Sequence, residues 1–238
     1  NVLEVAGGSV ASAYGVKVNA AGGSADENSV KITGGNISGS AYGAELSDAA
    51  STGTGTKNIA EMTGGALTGS LYGARTAGSG TLTESEVKVS GGTIGGSVYG
   101  SEVATGAGDA TGSKITISSG AVTGDVYGGK TAGTGAATGH TLNLYGGSVG
   151  GSVFGGHTAS GATTGNTVNL GNGTTNAVTT VTGTISGGNG AADTDNVLNV
   201  NTNATAGNIS NFSMVKFNFN STFNQANPML DLVGGSAT

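Results

Sequence analysis

The sequence predicts an all-β fold, a parallel β-helix (β-solenoid) of about eight coils, each 27–30 residues long. Three observations predict it. A glycine-rich segment recurs along most of the chain at that spacing. Between its copies apolar and polar residues alternate, which is the period of a strand. No stretch shows a helical period with caps, and 49 of the 238 residues are Gly against a single Pro.

Composition narrows the alternatives. Hydrophobic residues make up 35%, thin material for one wide core, yet only 9% are charged, too few to hold the chain open by self-repulsion. The glycines follow no Gly-X-Y period, so collagen is excluded. Cysteine is absent, which removes disulfides and Cys-based metal sites. With 14 Asp+Glu against 8 Lys+Arg and no basic run, nucleic acid is not expected as a partner, nor is an anionic membrane surface. No run approaches the ~18 apolar residues of a membrane helix, so direct membrane insertion of this segment is not expected. The sequence has no signal-peptide pattern, and an export signal is expected outside this segment.

The coil can be read element by element. A first strand alternates, as in Val30–Ile32, Val87–Val89, Ile115–Ile117, Leu142–Leu144 and Val168–Leu170. A Gly pair, a short second strand and another Gly follow, and then a third strand carries an aromatic. The aromatics fall at Tyr14, Tyr42, Tyr72, Tyr99, Tyr127 and Phe154, within segments such as "GGNISGSAYG" from Gly34 and "GGTIGGSVYG" from Gly91. A loop of Gly, Ala, Ser and Thr closes the turn. Glycines are expected where φ is positive or the backbone passes close to a neighbour. Stacked coils place equivalent positions ~4.8 Å apart, so eight make a rod ~40 Å long. Residues 1–195 read as Gly-rich β-helix repeats, and 196–238 as terminal, more apolar coils of the same β-helix. The latter hold four of the five Phe, as a wider last coil or cap, or as a hydrophobic patch for a partner.

Two columns are expected to hold the stack in register. Asn1, Asn28, Asn58, Ser85, Ser113, His140, Asn166 and Asn196 recur one per coil, suited to inward corner amides bonding along the stack. Three residues beyond each aromatic stand Lys17, Glu45, Arg75, Glu102, Lys130 and His157, the first five alternating in sign. Read as exposed pairs, these contribute only ~0–1 kcal/mol each and chiefly set register. The aromatics can be read either way. Alternation back from Glu102 puts Tyr99 inside, and alternation forward from Ile94 puts it outside, with the Gly after each aromatic a bulge that resets parity. A buried hydroxyl would need a partner, and five of the six are Tyr, so outside is preferred. That makes Tyr14, Tyr42, Tyr72, Tyr99, Tyr127 and Phe154 a candidate partner-binding face.

Sharper motifs yield to the repeat. "GDVYGGKT", Gly124 to Thr131, matches a phosphate loop letter for letter, but no helix is expected after it and Lys130 belongs to the charge column. His140 and His157 likewise occupy the two columns and lack Cys or clustered carboxylates beside them. Asp193–Asn196 lacks most ligands of a calcium loop. Asp26–Glu27 and the Glu84/Glu86 pair lie in separate loop regions, unsuited to act as one acid/base couple. No catalytic residue, cofactor or metal site is expected.

The repeated GG-x-[VI]-x-G-[SD]-[VA]-YG unit, with the closing "NISNFSMVKFNFNSTF…MLDL", resembles the passenger repeats of large autotransporter adhesins from anaerobic Gram-negative bacteria. The likeness covers nearly the whole chain. It implies a right-handed β-helix displayed on the cell surface and anchored by an outer-membrane barrel outside this segment. It further implies attachment to a glycan or protein on host cells or other bacteria, and continuation into further coils or a barrel. A spacer stalk, a glycan-active β-helix and an ice-binding solenoid are the rivals. The glycan-active reading needs stacked carboxylates, which the repeat lacks. The ice-binding reading needs Thr-x-Thr aligned across coils, and Thr52–Thr56 has no match in register.

Overall fold

A computed structural model describes residues 1–175, 177, 179–220 and 223–234. Among them all regular structure is strand, in one 22-stranded sheet and a smaller 5-stranded sheet along the loops. Every strand pairing is parallel and joins equivalent segments of successive coils, as in Val2↔Ser29, Ser29↔Ile59 and Tyr72↔Tyr99. The sequence period is therefore the stacking period. The chain is a β-solenoid of about eight turns.

Three sides build each turn. The first runs through Val2–Val5, Ser29–Ile32 and Ile59–Met62 to Val197–Val200 and Met214–Phe217. The second begins at Ser9–Val10 and ends at Leu230–Leu232. The third carries the aromatics, in Ala13–Val18, Ala41–Leu46, Leu71–Thr76, Val98–Val103, Val126–Thr131 and Val153–Thr158. Inward residues of the three sides make one continuous core, for example Val30, Ile32, Ile37 and Ala41 in one coil and Val87, Val89, Ile94 and Val98 two coils on. Each fully buried Val, Leu or Ile contributes roughly 1.5–3 kcal/mol. A second, smaller core lies between the third side and the loops, around Ala44, Leu46, Ala74, Leu82, Val103 and Ala110.

The corners obey two different constraints. The second Gly of each pair turns the chain from first to second side with positive φ, +84° at Gly65 and +81° at Gly92. The Gly after each aromatic is needed for closeness instead. A Cβ on Gly100 would strike the Gly128 carbonyl and the Ser113 side chain of the next coil. The ladder skips this residue, passing from Tyr72↔Tyr99 directly to Ala74↔Ser101, which resets the alternation. A third corner, before the first side, departs from the glycine expectation. Its positive-φ column reads Glu27, Lys57 and Glu84, then Gly112, Gly139 and Gly165, and returns to a non-glycine residue at Asp195.

The last described turn carries apolar side chains on both sides of its strands. Phe212, Phe223 and Leu230 pack on the core and Met229 is buried. Val215 and Phe217 stand in core columns, paired with Leu198 and Val200, yet remain exposed because no described strand covers them.

Candidate lateral face of the solenoid

The third side sorts its residues by the break at glycine. Val98 joins the main core, whereas Tyr99 belongs to a separate cluster of rings on the opposite face of the strand. The aromatics thus point outward, but the expected exposed row is not what they form. Tyr14, Tyr42, Tyr72, Tyr99, Tyr127 and Phe154 stack face to face with centroids 4.9, 4.7, 4.7, 5.1 and 5.1 Å apart, tilted by no more than 9°. Coil spacing is close to the separation at which offset rings pack, so each ring covers the next. Tyr72, Tyr99 and Tyr127 keep only 8–9% of their surface. Their faces are closed to a ligand, which can meet ring edges and hydroxyls.

The corner before the rings carries its own ladder. Ser40 Oγ accepts the Ser70 N–H and Ser70 Oγ accepts the Ser97 N–H, each at 3.0 Å. Ser97 Oγ accepts the Asp125 N–H at 3.0 Å, and Asp125 Oδ1 accepts that of Ser152 at 2.7 Å. Asp125 also receives the Tyr127 hydroxyl on Oδ2 at 2.8 Å. Burial raises the phenol pKa of Tyr42, Tyr72, Tyr99 and Tyr127 above its ordinary value.

The charge column is a chain of ion pairs: Lys17–Glu45 at 3.3 Å, Glu45–Arg75 and Arg75–Glu102 at 3.0 Å, and Glu102–Lys130 at 3.6 Å. Its carboxylates are not exposed, however. The Glu45 and Glu102 side chains are 7% and 14% accessible, because the longer cations of the coils on both sides cover them. The Lys17 ammonium, hydrogen-bonded to Glu45, is held above its usual pKa. Lys17 lies 5.0 Å from the Tyr14 ring centre and Lys130 5.1 Å from that of Tyr127, so the columns also meet through cation–π contacts. His157 closes the run, its ring edge-on to Tyr127 and Phe154.

From Asn28 to Asn196 the corner column is buried, whereas Asn1 at its start is exposed. Asn1 Nδ2 donates to Asn28 Oδ1 at 2.9 Å. Asn58 Oδ1 accepts both the backbone N–H and the Nδ2 of Asn28, at 3.0 and 3.1 Å, while Asn58 Nδ2 donates to the Ala25 carbonyl. Further on, His140 Nδ1 accepts the Ser113 N–H, Asn166 accepts that of His140, and Asn196 that of Asn166. Ser85 breaks the pattern, its short hydroxyl having no hydrogen-bond partner among the described residues.

The remaining motifs take ordinary places. Lys130 of the phosphate-loop match lies in a strand, paired with Glu102, and no helix follows among the described residues. Asp193 accepts hydrogen bonds from the Gly190 N–H and the Thr163 hydroxyl. Among the described residues no three metal-capable side chains gather, and no helix is long and apolar enough to cross a membrane.

The first side holds what the sequence reading missed. Its register aligns Glu4, Lys31, Glu61 and Lys88, another alternating column, followed by Thr116, Asn143, Asn169 and Asn199. Asn199 donates to Asn169 and Asn169 to Asn143, both at 2.8 Å. A shallow groove there is lined by Glu61, Glu86, Lys88, Lys114, Asn143 and Tyr145. Glu86 pairs with Lys88 at 2.8 Å and Lys114 at 3.5 Å. The alternation at Glu4, Lys31, Glu61 and Lys88, one per coil, was the available signal.

No protein-family model, curated protein or solved structure matches this chain. The resemblance to autotransporter passengers stands on the repeat unit and the closing segment alone.

Proposed function

We propose that the chain is a surface-displayed β-helical segment of a bacterial adhesin, attaching to host cells or other bacteria along its side. The observation that carries this reading is the unbroken lateral pattern from Tyr14 to Phe154, flanked by the charge column from Lys17 to Lys130. It offers hydroxyls and ring edges in a line at coil spacing, with a cation beside them at every second coil. Such a line suits a glycan or protein surface, where many weak contacts add up. It suits a small substrate poorly, and on this reading the segment is not an enzyme. The repeat resemblance supports display at the cell surface through an outer-membrane barrel outside this segment.

A second reading, a spacer stalk with no ligand, is favoured by the same columns seen differently. The rings cover one another and the charges neutralise one another, which leaves few groups seeking a partner. Applying the 238-residue chain to glycan arrays and to host and bacterial cells separates the two. Saturable binding supports the adhesin; its absence on every surface supports the spacer.

A further inference from the structure

The attachment role makes no use of the continuity of the tyrosine stack. Five phenol rings lie face to face without a gap, their centres 4.7–5.1 Å apart. At that separation neighbouring π systems overlap, so an electron vacancy on one ring passes to the next with little movement of atoms. The rings are alike, but their surroundings are not. Two residues before Tyr42, Tyr72 and Tyr99 stand Ser40, Ser70 and Ser97, whereas the place before Tyr127 holds Asp125. Asp125 Oδ2 accepts the Tyr127 hydroxyl at 2.8 Å. Losing an electron makes a phenol strongly acidic, so a radical settles where a base can take the proton. Beyond Tyr127 stands Phe154, whose ring is harder to oxidise than a phenol and ends the run.

We propose that the column conducts one-electron oxidising equivalents along the solenoid to a radical site at Tyr127. An outer-sphere one-electron oxidant at the Tyr14 end removes one electron. The vacancy passes through Tyr42, Tyr72 and Tyr99, and Tyr127 gives its phenolic proton to Asp125. The products are the reduced oxidant, a neutral Tyr127 phenoxyl radical and a protonated Asp125, with no heavy-atom bond made or broken.

The chain has no cysteine, so Ala11→Cys, at an exposed position three residues before Tyr14, gives a single tether for a ruthenium polypyridyl photo-oxidant. After illumination with an electron acceptor, a nitroso spin trap and peptide mass spectrometry locate the radical. The main adduct is expected at Tyr127, four coils or about 19 Å away. Tyr72→Phe keeps a ring in the stack and should lose the Tyr127 adduct in favour of Tyr14 and Tyr42. Tyr99→Phe repeats the interruption one coil later, should Tyr72→Phe misfold. Asp125→Asn can still accept the Ser152 N–H and should lose the preference for Tyr127. Adducts confined to Tyr14 in the tethered parent, or a Tyr127 adduct that survives in the folded Phe variants, would overturn the proposal.

Discussion

His140 Nε2 occupies the space that a Cβ on Gly129 would need. One coil earlier the same two positions hold Ser101 and Ser113, whose hydroxyls meet at 2.9 Å. One coil later they hold Gly156 and Asn166, and there too the corner amide stands close against the glycine. Across these three coils, bulk on the third side and bulk in the corner column are traded against each other.

That exchange predicts strong coupling. Gly129→Ser alone should clash with the imidazole and cost at least ~2 kcal/mol. His140→Ser alone should cost a similar amount through the void and the lost acceptor for the Ser113 N–H. The double variant recreates the Ser101/Ser113 arrangement, and its unfolding free energy should recover ~1 kcal/mol or more relative to the sum. Additive losses in urea unfolding would show the two positions to be independent.

Acid should weaken the solenoid through the same histidine. Burial lowers the His140 pKa to about 4, so the folded chain keeps it neutral while the unfolded chain protonates it near 6.5. Its contribution is complete above pH 6.5 and falls away as pH drops towards 4, by ~3 kcal/mol. His140→Asn, the residue used at Asn58 and Asn166, should fold and flatten the pH dependence of stability across that window. An unchanged pH profile would remove His140 as the cause.

Glu102 should matter more than an exposed partner does. It bridges Arg75 and Lys130 with a mostly covered side chain. Glu102→Lys would set three cations in sequence, at a cost of ~2–3 kcal/mol, between the values for exposed and buried pairs. Salt should relieve part of it. A loss under ~1 kcal/mol would mean that solvent screens the column after all.

The positive-φ corner offers a gain. Lys57 holds φ 54° where three other coils use Gly112, Gly139 and Gly165, so Lys57→Gly should leave stability level or raise it by up to ~1 kcal/mol. Gly139→Ala, at φ +70°, should lower it by ~1 kcal/mol or more. Calorimetric melting of both variants checks the pair, and a clear loss in Lys57→Gly would contradict the strain argument.

Much of this architecture was legible, because a stacked solenoid turns a sequence period into a contact. The Asn column and the alternating charges at Lys17, Glu45, Arg75, Glu102 and Lys130 needed only their spacing to be paired. The direction of Tyr99 was harder, since alternation fails at Gly100, where the ladder skips a residue. Its burial could not be read from one coil at all, for the covering surface is Tyr72 on one side and Tyr127 on the other. Enclosure of Glu102 by neighbouring cations has the same origin. The serine ladder was visible as a fixed Ser or Asp before each aromatic, but its acceptor role follows from corner geometry.

The most direct test of the proposed lateral face is binding by a variant that changes its chemistry and keeps its packing. Tyr42, Tyr72 and Tyr99 changed together to Phe preserve the ring stack and remove three outward hydroxyls, leaving the Tyr127–Asp125 bond in place. Binding of parent and variant to the same cells is measured beside their melting temperatures. The account predicts saturable binding by the parent, and binding several-fold weaker in a variant that melts within a few degrees of it. No binding by the parent, or equal binding by both, would contradict it.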